Sequence, residues 1–490
     1  MYNSVLVRIL KTFSESEFRK FDKLVNSPYF NTSEATIKCF SAIKEYYPSF
    51  NDMRLTKETV FSRIHPGRKF DDTLIRKYIS NLIKLMDEYL TLNTFNRKKR
   101  IKKRFLLEEL RLRKLNSYYE RKLRDSEGDF SHDAVVDREY FIDRYFHEHE
   151  KIYHYVSVNK QIRIPSNVLK RSNFLVYFFF QELVHNKLDI RVNERQFNFK
   201  TDNILINNIY SNIKLDDIMS KLNESPFEND FLQMYFYLGK MLFQYDTSAS
   251  MVSGKLFQSL IKLLDFDLKN LIFAILESYY IYRINNEGDS DNNLSSELFN
   301  IYELMLSENI FLYPDNNFKM AEFRNVLMSS LKLKKTEWAM EFIKTYSGYL
   351  EENIRIDTIN YSRAKIHSVA GQHEEVLQYL SRIKHEDFLY QLDIKNMLMQ
   401  AYYKLDMFEQ AFSLIDTYKK LLRNSKNLAE HRKKFNYTFI NYYTKLLKIK
   451  LGNDKGQSIA VLKSKIQNES KIMSREWLIN ELGALENQER

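Results

Sequence analysis

Four side chains in the stretch FIDRYFHEHEKIYHY (141–155) have the types and spacing of metal ligands. Asp143, His147, Glu150 and His154 stand at i, i+4, i+7 and i+11. On a helix these positions share one face. Two or three of them could hold a zinc ion completed from elsewhere in the chain. Phe141, Tyr145, Ile152 and Val156 fall opposite, as on an amphipathic helix whose polar side meets water. A solvated face is the expectation, and no metal centre and no cofactor are assigned.

Other stretches approach chemical motifs and miss them. GNDKGQS (452–458) is one residue short of a phosphate loop and has Gln457 where the lysine is required. DSDNNLSSE (289–297) starts like a calcium loop, but Leu294 occupies the place of the turning glycine and residue 300 is Asn. It reads as an inter-helix loop. No nucleophile elbow, zincin or Cys–His signature occurs. The one cysteine, Cys39 beside Phe40, reads as a core thiol. The chain is therefore expected not to be an enzyme.

The strongest local signal is charge. Seven of the eight residues from Arg97 to Arg104 are basic: Arg97, Lys98, Lys99, Arg100, Lys102, Lys103 and Arg104. At 100° per residue they point nearly all round a helix, so the tract must project into solvent or lie against something negative. Residues 1–130 hold 28 Lys and Arg against 17 Asp and Glu, which accounts for the whole net charge of +11. Such asymmetry hints at a polyanion partner. A merely solvated helix face is the other reading.

The 10 Gly and 6 Pro in 490 residues are far below the usual share of about 7% and 5%. Tight turns of sheets need those residues, so the chain is expected to be all-α. Ser14 with Glu17 forms a capping box that opens a helix ending before Pro28. Further helices run from about Ser33 to Tyr47, stopping at Pro48, from Thr56 to 65–67, and onward from Asp71 or Asp72. TLNTFN (91–96) reads as a break, after which a helix should run from the basic tract toward Gly128. Pro165, Pro226 and Pro314 mark later breaks. The longest apolar run, FLVYFFF (174–180), is far short of the roughly 20 residues of a membrane span. No transmembrane segment and a cytoplasmic location are expected.

Three segments align near the C-terminus: LMSSLKLKKTEWAMEFI (327–343), AKIHSVAGQHEEVLQYL (364–380) and MQAYYKLDMFEQAFSLI (399–415). Ala339, Val376 and Ala411 recur at 37 and 35 residues. This pattern resembles the tetratricopeptide repeat, a 34-residue helical hairpin. The resemblance implies that Gly371 is the turn glycine, with Lys334 and Asp406 in its place elsewhere. It also implies that Ala401 packs on the first helix and that Ala339, Val376 and Ala411 pack on the second. Residues 55–90 resemble, in outline, the helix-turn-helix of bacterial activators. That resemblance implies groove contacts from Arg76 and Lys77 and phosphate contacts from Arg68 and Lys69, with Arg97 to Arg104 adding nonspecific ones. A winged helix would continue into a β-hairpin, and 91–115 has neither Gly nor Pro nor strand alternation.

The expected organisation is a compact helical domain (1–92), a basic connecting helix (93–130), a divergent helical-hairpin array (131–320) and tetratricopeptide-like repeats with capping helices (321–490). The expected function is a helical-repeat scaffold, an α-solenoid whose surface binds a protein or peptide. Regulatory nucleic-acid binding through residues 1–130 is the alternative.

Overall fold

A chain this poor in Gly and Pro lacks the residues that tight hairpin turns between strands favour. In the computed structural model the described residues form twenty-three α-helices and no strand, with one isolated bridge between Val136 and Leu264. The structure describes every residue except 2–3, 132–133, 197–204, 215–216, 218–225, 245, 290, 385–387, 426–427, 429, 453–458, 470–471 and 489–490. Most of GNDKGQS therefore lies outside the described residues. No described helix is long and apolar enough to cross a membrane. The chain divides into two units.

The first unit comprises residues 1–131 and 143–171. It contains α1 (Val5–Leu10), α2 (Glu15–Val25), α3 (Glu34–Lys44), α4 (Lys57–Ile64), α5 (Asp72–Arg97), α6 (Lys99–Leu112) and α7 (Asn116–Glu127). Most of α8 (Tyr140–Ser157) and the start of α9 (Ile164–Gln196) belong to it as well. Each of α2 to α5 begins at a side-chain cap: Ser14, Ser33, Thr56 and Asp71 accept from backbone N–H groups of the first turn. At Ser14 the box is reciprocal, since Glu17 accepts the Ser14 N–H at 3.0 Å. α5 packs on α1, α2, α3 and α4. Phe21, Phe40, Ile75, Leu82 and Met86 form the fully buried centre of that core, and Cys39 lies in it with its thiol pushed up to about 12 by burial.

Two expectations fail at the basic tract. Residues 91–96 do not break the chain, because α5 continues through them to Arg97. The break falls at Lys98, inside the tract. The helix expected to reach Gly128 is instead a hairpin, α6 and α7, turned at Lys114 with φ 57°. Lysine carries no turn signal, so nothing in the sequence marked it.

The second unit comprises residues 132–142 and 172–490. Its helices are α10 (Leu205–Asn212), α11 (Pro226–Gln244), α12 (Ser248–Leu260), α13 (Phe266–Glu287), α14 (Asn293–Ser307), α15 (Met320–Lys332) and α16 (Thr336–Tyr346). They are followed by α17 (Glu352–Val369), α18 (His373–Leu380), α19 (Phe388–Lys404), α20 (Phe408–Asn424), α21 (Glu430–Lys450), α22 (Ile459–Asn468) and α23 (Arg475–Gln488). Pro226 opens α11, and Pro314 lies in the loop after α14. Asp289, the first residue of the calcium-like stretch, caps α14 by accepting the N–H groups of Leu294 and Ser295 at 3.0 and 2.9 Å.

Neighbours pair as hairpins: α11 with α12, α13 with α14, α15 with α16, α17 with α18, α19 with α20. The first helices also touch one another, α15 on α17 and α17 on α19. The three aligned segments turn alike. Lys334, Gly371 and Asp406 have φ 57°, 74° and 54°. The next N–H reaches back five residues in each: Lys335 to Ser330 O, Gln372 to His367 O, and Met407 to Tyr402 O, at 2.9–3.0 Å. This is the Schellman ending of an α-helix. Ala339, Val376, Ala401 and Ala411 are all buried.

Candidate functional site: a buried charge seam and a polar first-helix face

The metal-like stripe of α8 faces inward. Asp143, His147, Glu150 and His154 are buried, whereas Phe146, Tyr153 and Val156 are exposed. The solvated-face expectation is thus inverted. The reason lies on α6 and α7, which bring opposite charge and hydrogen-bonding groups to the stripe. Arg100 Nε donates to Asp143 Oδ2 at 2.8 Å, and Arg111 Nε donates to Glu150 Oε1 at 2.5 Å. Ser126 Oγ lies 2.9 Å from His147 Nε2, and the Tyr119 hydroxyl donates to Glu150 O at 3.3 Å. These pairs rise together along α6 and α8, so those helices run parallel. They fall in opposite order along α7, which runs back.

Electrostatics follows from that enclosure. Burial pushes Glu148 up, but His147, Lys151 and Asn167 outweigh it and hold the carboxyl at about 2. Burial lowers His147 and His154 below the ordinary imidazole range. The His154 ring stacks on Tyr119 at 3.9 Å, with no hydrogen bond to either ring nitrogen among the described residues. Among the described residues no group of three or more His, Cys, Asp or Glu is placed to hold a metal ion.

The basic tract is split by this seam. Arg100, Lys103 and Arg104 turn inward at i, i+3 and i+4. Lys103 pairs with Asp129 at 2.7 Å, and the Arg104 guanidinium sits 4.4 Å from the Phe146 ring centroid. Arg97, Lys98, Lys99 and Lys102 remain exposed around the start of α6, whose first turn contains no acidic residue. Arg68 and Lys69 are exposed in the loop before α5; Arg76 pairs with Asp72 at 2.6 Å, and Lys77 is exposed. At 1.5 Å per residue along α5, Arg76 and Arg97 are about 30 Å apart. The candidate polyanion contacts therefore form two patches at opposite ends of one helix.

A second polar assembly, unforeseen in the sequence, lies in the other unit. Arg324 on α15 donates through Nε to Asp393 Oδ2 on α19 at 2.7 Å. Tyr361 on α17 stands between them and donates to the same oxygen at 2.8 Å. The Arg324 and Asp393 side chains keep 29% and 14% of their surface, so the link is shielded but still wet. Lys365 on α17 lies 5.8 Å from the Tyr361 ring centroid. On α19, α20 and α21, Tyr418 donates to Asn436 Oδ1 at 2.6 Å and lies 3.2 Å from Asn396 Oδ1. Toward the other end, Glu277 on α13 accepts from Tyr302 at 2.6 Å and from Asn325 at 3.0 Å. Burial holds Glu277 and Glu322 above the usual carboxylate range.

A signal for this row did exist. Arg324, Tyr361 and Asn396 each stand ten residues before the turn residue, Lys334, Gly371 or Asp406. A polar residue at one fixed place in each aligned unit could have been read as a row across adjacent first helices. No protein family, curated protein or solved structure matches this chain.

Proposed function

We propose that the chain is a non-enzymatic cytoplasmic scaffold, an α-solenoid of tetratricopeptide-like hairpins whose first-helix face binds a protein or peptide partner. The carrying observation is the Arg324–Tyr361–Asp393 link across α15, α17 and α19. Burying polar side chains between helices costs stability unless they are fully satisfied, and packed apolar residues would hold the helices at least as well. A row of half-wet polar groups is better suited to recognising a ligand. The common turn at Lys334, Gly371 and Asp406 supports the repeat reading.

The test is capture by the immobilised full chain followed by crosslinking and mass spectrometry. The Lys365→Glu/Arg432→Glu pair should lose the proteins that wild type retains. The Lys344→Glu/Lys420→Glu pair, on α16 and α20, should keep them. Retention of the same proteins by the first pair, or none held by wild type above a blank resin, would sink the reading.

The exposed cations around Lys98 favour a second reading, nucleic-acid binding by the first unit. Its test is the salt dependence of duplex-DNA binding by the full chain.

A further inference from the structure

The polar link on the first-helix face is unbalanced in charge. Asp393 is committed to Arg324 and to the Tyr361 hydroxyl. Lys365 on α17 lies 5.8 Å from the Tyr361 ring centroid, and Arg432 on α21 stands one turn before Asn436, which accepts from Asn396 on the Asp393 helix; both cations lie in the field of Arg324 and Asp393. Neither has a carboxylate within ion-pair distance among the described residues, and both are half-buried. Burial lowers both Lys365 and Arg432 from their ordinary values; Asp393 attracts Lys365 more than Arg324 repels it, whereas for Arg432 the repulsion from Arg324 is the larger. Three cations therefore share one carboxylate at a half-shielded site, and shielded charges are ordinarily paired. The excess is two positive charges.

A phosphate monoester carries about −1.5 to −2 at neutral pH and three strong acceptor oxygens. It matches the excess in charge, and guanidinium groups suit its geometry. We propose that Arg324, Lys365 and Arg432 receive the phosphate group of a phosphorylated segment of a partner protein. This rests on the reading of the first-helix face as the binding surface. A segment suits the face better than a free ion because polar groups continue from the cluster to Asn325 and Glu277 on α15 and α13. In the bound state Asp393 keeps Arg324 oriented while Lys365 and Arg432 gain the partner they lack.

The experiment is calorimetric titration of the full chain with three probes. They are a Gly/Ala heptapeptide with a central phosphoserine, the same peptide with serine, and inorganic phosphate. The phosphopeptide should bind at least tenfold more tightly than either of the others. Lys365→Gln and Arg432→Gln should each weaken it about tenfold while leaving the free chain at least as thermally stable, and Lys365→Arg should retain it. Equal binding of both peptides, no binding of either, or indifference to Lys365→Gln and Arg432→Gln would overturn the assignment. Inorganic phosphate binding as tightly as the phosphopeptide would overturn the choice of a protein segment. The scaffold reading fails separately: protein capture without phosphopeptide binding removes only the phosphate assignment, and phosphopeptide binding with no protein captured removes only the scaffold.

Discussion

His154 shows what a buried imidazole does when its neighbours are chosen for stacking rather than hydrogen bonding. Its ring is fully buried against Tyr119, with Glu120 only at 3.8 Å. Burial lowers its pKa, and that of His147, below the unfolded value of about 6.5. The unfolded chain then binds more protons than the folded one as pH falls through that value. Stability is therefore fully present above about pH 6.5 and is lost on acidification. His154→Phe keeps the stack and removes two orphan nitrogens. Thermal melts at pH 7 and pH 5 should show the variant at least as stable as wild type at pH 7, with a smaller loss on going to pH 5. An unchanged pH dependence would mean that His154 does not titrate with unfolding.

The elements separate what sequence patterning can reach from what it cannot. Caps are local chemistry, so Ser14 with Glu17 and Asp71 marked their helix starts correctly. The inner face of α8 is not local. Sorting Asp143, His147, Glu150 and His154 by polarity put them in water, because the Arg100 and Arg111 that cover them arrive from a different helix. Lys114 is the sharper failure. It sits at φ 57°, the same conformation as Lys334, and lysine carries no hint of it. A left-handed residue costs about 1–2 kcal/mol in a side chain with a Cβ. Lys114→Gly and Lys334→Gly should each stabilise the protein by about 0.5–1 kcal/mol in denaturant melts. Gly371→Ala should destabilise it by about 1 kcal/mol, although its added Cβ meets nothing within 4 Å, so the cost would come from the backbone alone. Equal stability in all three would show that these turns relax out of the left-handed region.

At the scale of the molecule, charge is divided more sharply by fold than by position along the chain. Residues 143–171 add six Lys and Arg against three Asp and Glu, so the first unit carries +14 and the second −3. Part of the tract is nevertheless spent internally. Arg100 and Lys103 are paired with Asp143 and Asp129, and Arg104 lies on an aromatic ring. Only Arg97, Lys98, Lys99 and Lys102 are exposed, so any phosphate surface there should behave as four charges rather than seven. Counterion release makes that countable, since affinity for duplex DNA falls with log salt at a slope of about −0.9 per phosphate contact. Replacing those four residues by Gln should reduce the slope by up to about 3.6 in fluorescence anisotropy. Arg68→Gln/Lys69→Gln, at the far end of α5, should change it independently if that patch also touches the backbone. Arg100→Gln should act differently, lowering stability by about 1.5–3 kcal/mol through loss of its charge-assisted bond to the buried Asp143 carboxylate. If the wild-type chain fails to bind duplex DNA even at low salt, the tract serves the fold alone: its inward half closes the seam, and its outward half keeps the start of α6 in water.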